Sequence, residues 1–66
     1  MTGTVTAFDD ERGLGTVTDE GGNAFPFHCT AVADGSRTIA VGTPVTFDVV
    51  PGHLGRREGR HLRPVS

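Results

Sequence analysis

Leu14-Gly15-Thr16-Val17-Thr18 and Ala24-Phe25-Pro26-Phe27-His28 flank the cluster Asp19-Glu20-Gly21-Gly22-Asn23. Two short alternating runs around a polar, glycine-rich turn predict a pair of antiparallel strands. Outward from this hairpin the same grammar repeats. Thr4-Val5-Thr6-Ala7-Phe8 is rich in β-branched residues and alternates, and the polar turn Asp9-Asp10-Glu11-Arg12-Gly13 joins it to the hairpin. Downstream, Pro44-Val45-Thr46-Phe47-Asp48-Val49-Val50 is the clearest strand, with Val45, Phe47 and Val49 on one face. Pro51-Gly52 stops it, His53 to Gly59 reads as a flexible connection, and Arg60-His61-Leu62-Arg63-Pro64-Val65 supplies a fifth strand. Between Cys29 and Gly42 no strand pattern survives, so a short helical turn and a loop are expected there.

A strand shows successive side chains to opposite faces. With Val5, Val17, Phe25 and Phe27 inward, the outer face presents Thr4, Thr6 and Phe8, then Leu14, Thr16 and Thr18, then Pro26 and His28. Pro26 has no backbone N–H, which places its position at an edge or a bulge, or beside a carbonyl that goes unpaired. Five short strands in 66 residues cannot stay flat without leaving an apolar face and two edges wet. The economical arrangement is an all-β, small five-stranded antiparallel barrel, a single domain over residues 1–66.

Size and composition narrow the function. A chain of 6.9 kDa has no room for a deep catalytic cleft inside its core. One cysteine forbids an internal disulfide, and no apolar run approaches the roughly 20 residues that span a bilayer. A soluble, cytoplasmic protein without a membrane role is expected. Charge is distributed unevenly within a net −2: residues 1–50 hold seven acids against two arginines, whereas residues 51–66 hold four arginines against Glu58. Every cation is arginine, suited to stacking on rings and to forking onto phosphate.

These segments together resemble the bacterial cold-shock domain, an OB-type barrel that binds single-stranded nucleic acid. Gly3-Thr4-Val5-Thr6-Ala7-Phe8-Asp9 is similar to the family's Gly-x-Val-Lys-Trp-Phe-Asn strand. Glu11-Arg12-Gly13-Leu14-Gly15-Thr16-Val17 is similar to its Lys-Gly-Phe-Gly-Phe-Ile motif. Phe25-Pro26-Phe27-His28-Cys29-Thr30-Ala31-Val32 resembles Val-Phe-Val-His-Phe-Ser-Ala-Ile, and Gly42-Thr43-Pro44-Val45-Thr46-Phe47-Asp48-Val49 resembles Gly-Gln-x-Val-x-Phe-Asp/Glu-Val. The resemblance runs almost end to end and implies the barrel.

It also marks what has changed. In the family, bases stack on exposed rings. Here Ala7, Leu14, Thr16, Pro26 and Cys29 stand at ring positions, and only Phe8 and His28 keep a ring. Stacking contributes roughly 1–3 kcal/mol per base, so five lost rings remove something on the order of 5 kcal/mol. The resemblance therefore implies weak, salt-dependent binding of single-stranded RNA or DNA with little base preference. Phe8 and His28 are the expected platforms, Leu14 an apolar contact, and Arg12, Arg56, Arg57 and Arg60 the phosphate partners. The competing expectation is a barrel that has lost nucleic acid and binds a protein partner or a second copy of itself through its cleared face. The acidic balance and the missing rings favour that alternative; the basic C-terminal stretch and His28 oppose it.

Cys29, His28, His53 and His61 lack the paired spacing of a zinc site. In an extended strand His28 and Cys29 point to opposite faces, which also removes a base from a Cys29 nucleophile. Gly13-x-Gly15 precedes no helix and reads as close backbone packing rather than a phosphate loop. Neither catalysis, a metal nor a cofactor is expected.

Overall fold

The computed structural model describes residues 1–33, 38–52 and 56–65. Its strands are β1 (Thr2–Asp9), β2 (Leu14–Asp19), β3 (Ala24–His28), β4 (Pro44–Pro51) and β5 (Arg57–Pro64), with a 3-10 turn at Cys29–Ala31. All strand pairs are antiparallel and run in the order β3-β2-β1-β4-β5. The two end strands, β3 and β5, come to lie beside each other and close the sheet into the expected OB-type barrel. Val32 bridges to Leu62, and Ala33 donates to the Leu62 carbonyl at 2.9 Å, which ties the segment after the 3-10 turn to β5. Residues 34–37 of the expected loop and residues 53–55 of the expected connection lie outside the described residues.

The alternating positions form the core. Val5, Val17, Val45 and Leu62 are fully buried, Phe27 and Phe47 nearly so, and Phe25 packs its ring 5.9 Å from that of Phe47. Two β-bulges then break the alternation. In β1, Val5 opposes Val17 but Ala7 opposes Thr16, so Thr6 is the extra residue. Its hydroxyl lies 3.0 Å from that of Thr18, within hydrogen-bond distance. In β5, Arg63 opposes Thr46 and Arg60 opposes Asp48, leaving His61 and Leu62 opposite Phe47 alone. His61 takes the strain with φ 55° and sets its Nδ1 3.1 Å from Asp48 Oδ2. Such a left-handed residue lets Leu62 enter the core while Arg60 and Arg63 stay outside.

β5 begins at Arg57, three residues earlier than the sequence pattern indicates. Gly59 explains the extension. It pairs with Val49 and lies over Val17, where an added Cβ would stand 3.2 Å from the valine methyl. Without a side chain this polar-looking stretch can cross the core.

The hairpin turn is organised by Asp19. Its Oδ1 accepts the backbone N–H groups of Gly21 and Asn23, each at 2.9 Å, and its Oδ2 takes the Asn23 amide at 3.2 Å. The Asn23 N–H bond, chiefly, holds the Asp19 carboxyl below its ordinary range. A lowered folded-state pKa means that this stabilisation is present above pH about 4 and is lost as pH falls through the folded value. Asp19→Asn should therefore melt at a lower temperature than the parent at pH 7, and the gap should narrow as the pH falls below the ordinary carboxyl range and through the lowered folded value. Circular-dichroism melts over this pH range check this; a gap independent of pH would contradict it.

Candidate nucleic-acid interface

The bulge at Thr6 decides which side chains share the outer face of β1–β3. After it, Ala7, Thr16 and Pro26 form one row across the three strands, and Asp9, Leu14 and His28 form the next. Phe8 falls instead in the row of Gly15 and Phe27. The outward Phe8 expected from simple alternation is thus corrected: its ring is half-buried and stacks on Phe27, with centroids 6.0 Å apart and planes at 16°. Gly15 makes this stack possible, since a Cβ there would lie 2.5 Å from the Phe27 ring.

What remains outside is a shallow groove of about 450 Å³ lined by Ala7, Leu14, Gly15, Thr16, Pro26, Phe27 and His28, with Glu58 of β5 on its border. Leu14 is 48% exposed beside His28, its cross-strand partner. Pro26 sits on β3, an end strand of the sheet. Cys29 N–H bonds to Gly13 O at 2.7 Å and Asp19 N–H to Asn23 O at 2.9 Å, so the β3 positions that bond to β2 are the odd ones. The nitrogen of Pro26 faces the open edge, and no ladder bond is lost.

His28 is the groove's one ring held outward by its own local structure. It caps the 3-10 turn: Nδ1 accepts the Thr30 N–H at 3.3 Å and lies 3.0 Å from the Thr30 hydroxyl. A backbone N–H can only donate, so the neutral ring carries its proton on Nε2, away from the cap. Because the chain leaves the strand here, Cys29 does not point opposite His28 as an extended backbone would require. Its Sγ lies 3.7 Å from His28 Nδ1. No group of three or more potential ligands that could hold a metal occurs among the described residues.

The arginines are dispersed. Arg12 is exposed on the β1–β2 turn, with Nε 3.8 Å from Asp9 Oδ2. The other oxygen of Asp9 accepts the N–H groups of Glu11 and Arg12. Arg57 lines a separate groove with Met1, Asp19, Asn23, Phe25 and Val49. Arg60 sits opposite Asp48 on β4, and Arg56 is exposed just before β5. The structure therefore brings Leu14 and His28 together, sets Arg12 on the turn leading into Leu14, and leaves Arg56, Arg57 and Arg60 outside the groove. Sequence periodicity gave no sign of Glu58 there, because its position follows from the closure of β5 against β3.

An antiparallel five-stranded barrel with a shallow outer groove on β1–β3 defines the OB class of small binding domains. Within it, the profile of the family described as the 'Cold-shock' DNA-binding domain matches residues 1–60, and the chain belongs to that family. It is 41% identical over 56 residues to the cold shock-like protein CspA of Stigmatella aurantiaca, covering 82% of each chain. To the cold shock-like protein CspLB of Listeria monocytogenes it is 38% identical over 56 residues, covering 83% of this chain and 85% of that one. To the cold shock protein CspD of Bacillus subtilis it is 37% identical over 54 residues, covering 80% and 82% respectively.

Proposed function

We propose that the chain binds single-stranded RNA or DNA weakly and without catalysis, in a groove stripped of most stacking rings. The observation that carries this reading is His28, whose ring is kept exposed beside Leu14 by the Thr30 cap. A base stacks on the imidazole and covers the Leu14 side chain, and Arg12 meets the backbone phosphate at the turn. Phe8, half-buried and stacked on Phe27, supports the groove from beneath and is not a base platform. Arg56, Arg57 and Arg60 add attraction at longer range, which salt screens over about 10 Å at 0.1 M. With so few rings, electrostatics sets the scale, and affinities of about 10⁻⁴–10⁻⁶ M are expected. No helix is long and apolar enough to cross a membrane among the described residues, and we place the protein in the cytoplasm.

Anisotropy of dye-labelled single-stranded oligonucleotides, one DNA and one RNA, tests the proposal. Binding should saturate, weaken steeply between low and physiological salt, and fall about tenfold in His28→Ala. No saturation at about 100 μM protein and low salt would overturn it. The half-exposed Leu14 would then be read as part of a protein-binding surface.

A further inference from the structure

We propose that Glu58 makes this groove selective for guanine. The inference rests on the nucleic-acid reading above and gives it a base preference that the ring-poor face alone does not supply. Among the described residues Glu58 is the one acid that lines the groove, together with Thr16, Pro26 and His28. Its side chain is half-buried and makes no hydrogen bond or ion pair among the described residues, although Arg56, Arg57 and Arg60 are its neighbours in sequence. Its carboxylate lies against Gly52, where an added Cβ would stand 2.8 Å from Oε2. The bare backbone at position 52 makes room for the acid beside the groove.

An anion on a surface that receives a polyanion repels phosphate, so it favours binding only where a ligand supplies donors. An ionised carboxylate only accepts hydrogen bonds, and its two oxygens match two parallel N–H groups. Single-stranded bases expose their Watson–Crick edges. Guanine alone presents adjacent N1–H and N2–H donors there. Uracil offers one N–H between two carbonyls, while cytosine and adenine offer one amino group beside a ring nitrogen that repels the carboxylate. Glu58 thus attracts one base in two bonds and disfavours the other three, so attraction and repulsion both contribute to selection.

The test uses labelled uridine heptamers with one central guanosine, inosine, adenosine or cytidine, read by anisotropy at low salt. A single guanine per strand avoids four-stranded assembly. Guanosine should bind about tenfold more tightly than adenosine, cytidine or uridine. Inosine, which keeps N1–H but lacks the N2 amino group, should fall between, and this probes the contact without altering the protein. In Glu58→Gln the guanosine preference should shrink to within about twofold, while the all-uridine strand binds more tightly because a negative charge is gone. Equal affinities for all strands, or a guanosine preference that survives Glu58→Gln, would overturn the inference and leave the nucleic-acid reading standing. Absence of saturable binding by every strand would overturn both.

Discussion

Thr16→Phe combined with Pro26→Phe is expected to raise the affinity for a pyrimidine-rich oligonucleotide at least tenfold. The two positions face each other across β2 and β3. They form the wide, non-hydrogen-bonded kind of pair, in which Cα atoms stand about 4.5 Å apart and the side chains are closest. Rings placed there would stand side by side on the outer face, in the row that begins with Ala7. Each stacked base contributes roughly 1–3 kcal/mol, and neighbouring rings fall short of additivity, so one decade in affinity is a lower bound. Neither side chain reaches the core: Pro26 is exposed and Thr16 half-exposed. Restoring an N–H at position 26 disturbs nothing, since that nitrogen faces the open edge. Anisotropy titrations of the double variant and of both single variants check the expectation. An unchanged affinity would show that the strand does not cross this face.

The barrel was legible because its core obeys a simple rule. Val5, Val17, Phe27, Val45 and Phe47 alternate with polar or small residues, and each is buried. Pro26 narrowed its position to an edge, a bulge or an unpaired carbonyl, since a missing N–H is tolerated only where no neighbour needs it, and β3 is an end strand. The outer face was less legible for three reasons. Nothing in Thr4-Val5-Thr6-Ala7-Phe8 signals a bulge, because threonine accommodates one without glycine or proline, yet the extra residue exchanges Ala7 and Phe8 between faces. The turn from Cys29 is expected, but His28 and Cys29 still read as neighbours in an extended strand, whereas the 3-10 geometry brings the Cys29 sulfur to 3.7 Å from His28 Nδ1. Glu58 comes to the groove by barrel closure, a contact between strands distant in sequence that periodicity within one strand cannot report. In each case a local pattern was right about its own strand and silent about how that strand meets the next.

Gly15→Ala is the second large effect, this time on stability. A 66-residue domain has a total stability of about 3–10 kcal/mol. At Gly15 an added Cβ would lie 2.5 and 2.8 Å from two Phe27 ring atoms and 2.9 Å from the Ala7 carbonyl oxygen. The ring cannot swing away freely, because Phe27 is 2% exposed and stacked on Phe8. Nor can the carbonyl, which belongs to the backbone of β1 paired with β2. Overpacking of this kind costs typically 1–3 kcal/mol, and with a backbone atom involved we expect about 3 kcal/mol, enough to unfold a large fraction of the chain at 37 °C. Urea denaturation followed by circular dichroism measures it, as the chain has no Trp or Tyr. The double variant with Phe27→Leu separates the two clashes. Shortening the ring relieves the contacts with Phe27 but not the one with Ala7 O, so the pair should be more stable than the sum of the single losses by about 1 kcal/mol or more. Strict additivity would mean that the carbonyl alone sets the cost. An unchanged urea midpoint in Gly15→Ala would mean that β1 and β2 are not held in the register that stacks Phe8 on Phe27. In that case Phe8 would be free to turn outward and serve as a second base platform beside His28.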